Sequence, residues 1–340
     1  MRKTMAAAAA LILPALLGAC GAAQPSATVA PTSAATVQLG TPQGFAASTL
    51  VADVVADPAF AGFGRYIFPV KNRDGVPDGM RLDGVGSLLP YHHAIQTSTT
   101  IEVLDYLRGQ AEQGNRVFYD IYSDAEQRAD PAKDDTGLFF FRGEPGAPFA
   151  IVCAGGGFSY VGSIHESFPQ ALELSKLGYN AFAIEYRLGS RPATEDLAAA
   201  VSYVFASADQ LEVSTEGYSL WGGSAGARMA AAIGSHGAAS YGGADLPRPA
   251  TVVIGYTGHS DYVPGDTPTF TFVSQDDPIA SATTVQQRVD NLRAVGVDVE
   301  FELYEHAGHG FGLGLGTDAE GWLGRAVAFW ERHQEGVAAT

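Results

Sequence analysis

Tyr218-Ser219-Leu220-Trp221-Gly222-Gly223-Ser224-Ala225-Gly226-Ala227 is the stretch on which the reading of this chain turns. It opens with a short apolar run of strand type, and from Ala225 the composition becomes Ala-rich and helical. Ser224 therefore sits at a strand-to-helix turn, with Gly222 and Gly226 two positions to either side. In so tight a turn, side chains at those two positions would meet neighbouring backbone, so both places want glycine. A hydroxyl presented there lies at a helix N-terminus, where the helix dipole favours developing negative charge. Ser224 is the candidate nucleophile.

The pattern around this turn sets the fold class. Apolar runs of strand length occur at residues 117–122, 137–142, 149–154, 180–186, 218–221, 251–256, 269–274 and 299–304. Helical patterns fall at residues 168–177, 194–208, 225–235, 283–295 and 320–331. Such alternation predicts an α/β fold with a mostly parallel central sheet flanked by helices. No helical pattern separates the first two strands, which are expected to form a hairpin through a Gly-containing turn. Residues 116–335 form the expected catalytic domain. Residues 44–115 read as an N-terminal extension or cap-like segment, with a helix at 99–113.

The N-terminus has a different character. Residues 20–43 are mostly Ala, Ser, Thr, Pro, Gln and Gly, bury too little apolar surface to offset ordering, and read as a flexible linker. Residues 1–19 read as a signal peptide, with Arg2 and Lys3 ahead of a short apolar run over residues 5–17. Leu17-Gly18-Ala19-Cys20 resembles the bacterial lipobox. That resemblance implies cleavage before Cys20 and diacylation of its thiol. The protein is then expected outside the cytoplasm, held to a bacterial membrane only by its lipid anchor. The apolar run is shorter than the ~20 residues a span needs.

Composition narrows the classes further. A chain of 340 residues with 46% hydrophobic and 17% charged residues is globular. Its formal net charge of −17 argues against nucleic acid as a partner, because phosphate backbones select Lys and Arg. It also argues against a basic lipid-binding patch. Only two cysteines occur. Cys153 ends an apolar run and reads as an unpaired, buried strand residue, so no disulfide framework is expected.

Four segments carry a family resemblance: Cys153-Ala154-Gly155-Gly156-Gly157-Phe158, Tyr186-Arg187-Leu188, Trp221-Gly222-Gly223-Ser224-Ala225-Gly226 and Gly308-His309-Gly310-Phe311-Gly312. Together, residues from about 116 to 333 resemble the α/β-hydrolase superfamily, in its esterase/lipase and acetyl-esterase branch. The resemblance implies two-step acyl transfer through an acyl-Ser224 intermediate on a small-molecule ester, with no metal or organic cofactor. Relatives act on short acyl esters, including acetylated carbohydrates. Two departures stand out. Ala154 occupies the place where His usually opens the Gly-rich loop, and Gly189-Ser190 follows Tyr186-Arg187-Leu188 where many members have Ala-Pro-Glu.

The resemblance also implies where the other groups lie, in the order Ser, Asp, His. Gln275-Asp276-Asp277-Pro278 follows the strand at residues 269–274. Asp277, just before the proline, is favoured as the acid over Asp276. The strand at residues 299–304 runs into Glu305-His306-Ala307-Gly308-His309, and His309 is favoured as the base over His306. Backbone N–H groups of Gly156, Gly157 and Ala225 are expected to form the oxyanion hole. His92 and His93 are adjacent, lack acidic or Cys partners at metal-ligand spacing, and read as surface or packing residues. His165 and His236 have no assigned role, and His259 follows a strand end from which it could approach a substrate. Glu185 and Asp196 read as a strand-end ion pair and a helix-start acid. Two other readings compete with the esterase: a serine peptidase of the same fold, and a catalytically silent binding lipoprotein. The first lacks a propeller-length region, and the second is disfavoured by all three triad residue types standing in order.

Overall fold

A computed structural model of the chain describes residues 44–69, 75 and 77–337. The signal-like segment, Cys20 and the linker at 20–43 lie outside the described residues. The strands are β1 (Phe118–Tyr119), β2 (Gly137–Phe141), β3 (Pro148–Cys153), β4 (Asn180–Glu185), β5 (Ser214–Gly223), β6 (Thr251–Gly255), β7 (Thr269–Ser274) and β8 (Val299–Tyr304). They form one sheet in the order β1-β2-β4-β3-β5-β6-β7-β8. β2 pairs antiparallel with both β1 and β4, and every later pairing is parallel. The sheet is thus antiparallel at its start and parallel where the candidate site lies.

The helices are α1 (Val51–Val55), α2 (Thr97–Glu112), α3 (Asp124–Ala129), α4 (Ser167–Lys176), α5 (Ser190–Ala206), α6 (Ala208–Leu211), α7 (Ser224–His236), α8 (Ala282–Ala294) and α9 (Trp322–Val337). Strand alternation sorts the core onto two faces. Leu138, Phe140, Ile151, Phe182, Ile184 and Leu220 pack with α5 and α7 on one face. Phe139, Phe141, Val152, Trp221 and Phe270 pack with α4 and α9 on the other. Burial on both faces explains why the central strands read as continuous apolar runs.

Two expectations are corrected. β1 is confined to Phe118–Tyr119, and its antiparallel pairing with β2 is not closed by a Gly turn. Helix α3 and a 3₁₀ turn at Pro131–Asp135 intervene, the helix started by a capping box in which Ser123 and Glu126 satisfy each other's backbone N–H groups. β5 begins at Ser214, earlier than its apolar run suggests. The described part of residues 44–115 packs on the sheet: Val51, Val54, Phe60, Val103, Leu104 and Leu107 are fully buried in the same core as Phe139, Phe141 and Phe168.

Candidate active site

The turn between β5 and α7 holds Ser224 at φ 51°, a left-handed backbone unusual for any residue but glycine. Its neighbours show why the spacing is fixed. A Cβ at Gly222 would lie 2.5 Å from the carbonyl carbon of Gly226, and one at Gly226 would lie 2.0 Å from the Cys153 carbonyl oxygen. The glycines let α7 start directly against β3 and the end of β5, which leaves the Ser224 hydroxyl half-buried at the sheet's C-terminal edge.

Two later loops converge on that hydroxyl. His309 Nε2 lies 3.0 Å from Ser224 Oγ. On the far side of the ring, Nδ1 lies 2.8 Å from Asp277 Oδ2 and 3.0 Å from Oδ1. The Asp277 carboxyl is fully buried, and its Oδ1 also accepts the backbone N–H of Ile279 at 2.7 Å and of Ala280 at 2.8 Å. The turn after β7 thereby aims the carboxylate before the imidazole is considered. Hydrogen bonding of Nδ1–H to this carboxylate leaves Nε2 free to take the serine proton. The chain brings Ser224, His309 and Asp277 into one hydrogen-bonded line.

Asp276 does separate work. Its Oδ1 accepts from the Ser274 hydroxyl at 2.6 Å and the Gly308 N–H at 2.9 Å. The Ser274 hydroxyl, the Gly308 N–H and nearby His306 hold this carboxyl below the usual range. His306 itself is exposed, with Nδ1 3.7 Å from Asp276. Asp276 ties the turn after β7 to the histidine loop.

The Gly-rich loop after β3 lies against the nucleophile: a Cβ at Gly155 would be 2.9 Å from the Ser224 Cβ. Gly155 donates its N–H to Glu166. Among the described residues, the next two N–H groups, of Gly156 and Gly157, donate to no protein acceptor. Ala225 follows the nucleophile in the first turn of α7, where N–H groups have no acceptor within the helix. The Gly156 and Gly157 N–H groups are thus left for something other than a protein acceptor, and the Ala225 N–H has none within its helix. Among the described residues, no group of three or more His, Cys, Asp or Glu side chains is placed to hold a metal ion.

Sequence reasoning missed a buried polar cluster beneath the loop. Glu166, His92, Tyr160, His165 and Tyr256 are all buried there. His92 Nδ1 lies 2.9 Å from the Tyr160 hydroxyl, and His165 Nε2 lies 3.1 Å from the Gly310 carbonyl beside His309. Burial, aided by His92, pushes the His165 imidazole down to about 4, so it is neutral near pH 7. Adjacent histidines gave no hint of this, because the partners come from other elements. His259 is partly buried, and desolvation beside Arg288 lowers it to about 4. Burial pushes the Cys153 thiol up, so it is an inert core group.

Glu185 and Asp196 do not stand as expected. Asp196 lies in the second turn of α5, fully buried, and pairs with Arg187 Nη2 at 2.8 Å. Glu185 has no ion-pair partner among the described residues. It accepts from the Ser163 hydroxyl, and burial pushes its carboxyl up to about 8. Its side chain helps wall a cavity of about 1060 Å³ together with Tyr66, Phe68, Tyr160, Tyr186 and Arg187.

Residues 142–246 match the family model described as BD-FAE, a stretch that holds the Gly-rich loop and Ser224 but ends before Asp277 and His309. No curated protein matches this chain. Solved structures do. An acetyl ester-xyloside bifunctional hydrolase from Caldicellulosiruptor lactoaceticus is 22% identical at TM-score 0.53, over 63% of this chain and 95% of the other. A sugar hydrolase from Lactococcus lactis is 21% identical at TM-score 0.52, over 59% of this chain and 96% of the other. MGS-M1, an α/β-hydrolase enzyme from a Medee basin deep-sea metagenome library, is 20% identical at TM-score 0.51, over 59% and 93%. The chain has the α/β-hydrolase fold.

Proposed function

We propose that this protein is a serine carboxylesterase that hydrolyses short-chain, acetyl-type esters, acetylated carbohydrates among them. The observation that carries the reading is the hydrogen-bonded line from Ser224 Oγ through His309 to buried Asp277. In this mechanism His309 takes the Ser224 proton as Oγ attacks the ester carbonyl. The tetrahedral oxyanion is met by the N–H groups of Gly156, Gly157 and Ala225, each such donor contributing about 3 kcal/mol in the transition state. His309 returns the proton to the leaving alkoxide. Water, deprotonated by the same imidazole, then releases the acyl group from Ser224.

The carbohydrate part of the proposal rests on the structural neighbours. Two of the structural neighbours above are described as hydrolases of sugar-linked substrates.

Residues 44–340 should hydrolyse p-nitrophenyl acetate and be labelled at Ser224 by a fluorophosphonate. Ser224→Ala should lower kcat by about 10⁴–10⁶-fold, because the residues act as a unit. Unchanged turnover in that variant would remove the mechanism, and efficient cleavage of peptide anilides would favour a peptidase.

We also propose that Cys20 carries the lipid that holds this enzyme outside the cytoplasm. The reading is supported by its lipobox-like sequence directly after the apolar run. Among the described residues no helix is long and apolar enough to cross a membrane. Cys20→Ala should shift the full chain from the membrane to the soluble fraction of a bacterial host. An unmodified Cys20 in the mature wild-type protein, seen by mass spectrometry, would refute the anchor.

A further inference from the structure

A carboxylate buried directly under a site that must stabilise negative charge needs a reason to be there. Glu166 stands just ahead of α4 and is 1% exposed. One of its oxygens accepts the Gly155 N–H. The other accepts the Tyr256 hydroxyl at 2.9 Å and lies 3.2 Å from His92 Nε2, an ion-pair contact rather than an aligned hydrogen bond. Space for it is made by the residue before the nucleophile: a Cβ at Gly223 would fall 2.9 Å from Glu166 Oε2 and 2.7 Å from the Tyr256 hydroxyl oxygen. Tyr256 in turn sets its ring edge-on to His309, with centroids 5.1 Å apart.

Burial alone would raise this carboxyl. His92 beside it and the Gly155 N–H outweigh burial and hold Glu166 down to about 2. The group is an anion throughout the pH range in which a serine esterase works. Ala154, standing where the resemblance leads one to expect a loop-anchoring His, has no side chain that could hydrogen-bond.

We propose that Glu166 is the positioning residue of the oxyanion loop: by holding the Gly155 N–H it presents the next two N–H groups, of Gly156 and Gly157, to the reacting oxygen, with His92 from the N-terminal segment as its partner. This rests on the esterase reading above. It also gives residues 44–115 a part in the chemistry, because His92 is supplied by that segment and the N–H of His93 donates to Gly310 beside His309 at 3.0 Å.

The test uses the full mature protein, p-nitrophenyl acetate, and a trifluoromethyl ketone, which adds to an active serine as an oxyanion. Wild-type turnover that is abolished in Ser224→Ala establishes the esterase reading first, so its failure is seen separately. In Glu166→Gln, kcat should fall about 10- to 100-fold with KM changed less than about threefold, less than the 10²–10³ typical for loss of a whole oxyanion donor. Ketone affinity should fall in step with kcat/KM. Glu166→Asp should be intermediate. A purely structural role predicts a lowered Tm with ketone affinity per folded site unchanged, and that result would overturn the proposal. If Glu166→Gln fails to fold, His92→Gln decides, since it keeps a polar group beside Tyr160 and removes the partner of the carboxylate. A three- to tenfold loss of kcat with matching loss of ketone affinity supports the proposal, and wild-type values for both sink it.

Discussion

At the scale of single residues, Asp276 and Asp277 show how one position along the chain changes the work of a carboxylate. The Asp277 side chain turns inward, is fully buried and meets His309 Nδ1 at 2.8 Å. Asp276 turns outward and bridges Ser274 to Gly308. Asp277→Asn keeps the shape but offers His309 a donor where it needs an acceptor, which favours the wrong tautomer. Its kcat should fall by about 10³–10⁴-fold with the melting temperature little changed. Asp276→Asn keeps one acceptor oxygen for Ser274 and Gly308, and should lower kcat by about tenfold at most. Steady-state kinetics on the two purified variants check this, and a reversal of the two effects would mean that the relay runs through the wrong carboxylate. Sequence favoured Asp277 because Pro278 follows it, and His309 over His306 because glycines flank it. Nothing of that kind marked Glu166, whose significance lies in Gly155, Tyr256 and His92 arriving from three other elements.

At the scale of elements, legibility followed burial. Strands buried on both faces, such as β4 with every residue buried and β7 likewise, stand out as apolar runs bounded by Gly, Pro or Asp. The start of β5 was not readable, because Ser214, Thr215, Glu216 and Gly217 are partly or wholly exposed and carry no apolar signal. Its extension is set by register against β3, where Pro148 pairs with Ser214 across an irregularity. The hairpin expected at the front of the sheet failed for a different reason. Ser123-Asp124-Ala125-Glu126 is a helix-start signal, readable in principle, but α3 buries none of its residues and so shows no apolar stripe. The turn at Ser224 was the most legible feature, since two glycines there answer to backbone contacts under 3 Å.

At the scale of the molecule, the boundary near residue 116 separates two sequence patterns but not two cores. Val51, Val54, Phe60, Val103, Leu104 and Leu107 are fully buried against Phe139, Phe141 and Phe168, with Tyr106 stacked on Phe141 at a centroid distance of 5.3 Å. Each large apolar side chain so buried contributes about 1.5–3 kcal/mol. Together these come to on the order of 10 kcal/mol, which is comparable to the whole stability of about 5–15 kcal/mol that a folded domain has. Removal of residues 44–115 would also expose the rings of Phe139, Phe141 and Phe168 and take His92 away from Glu166. Residues 116–340 expressed alone should therefore lack a cooperative thermal transition and hydrolyse no ester, whereas residues 44–340 should melt cooperatively and turn over. Circular dichroism melts and p-nitrophenyl acetate assays on the two fragments decide the matter. A shorter fragment that melts sharply with full activity would show that the first segment is an accessory, and that the loop under the nucleophile keeps its shape without His92.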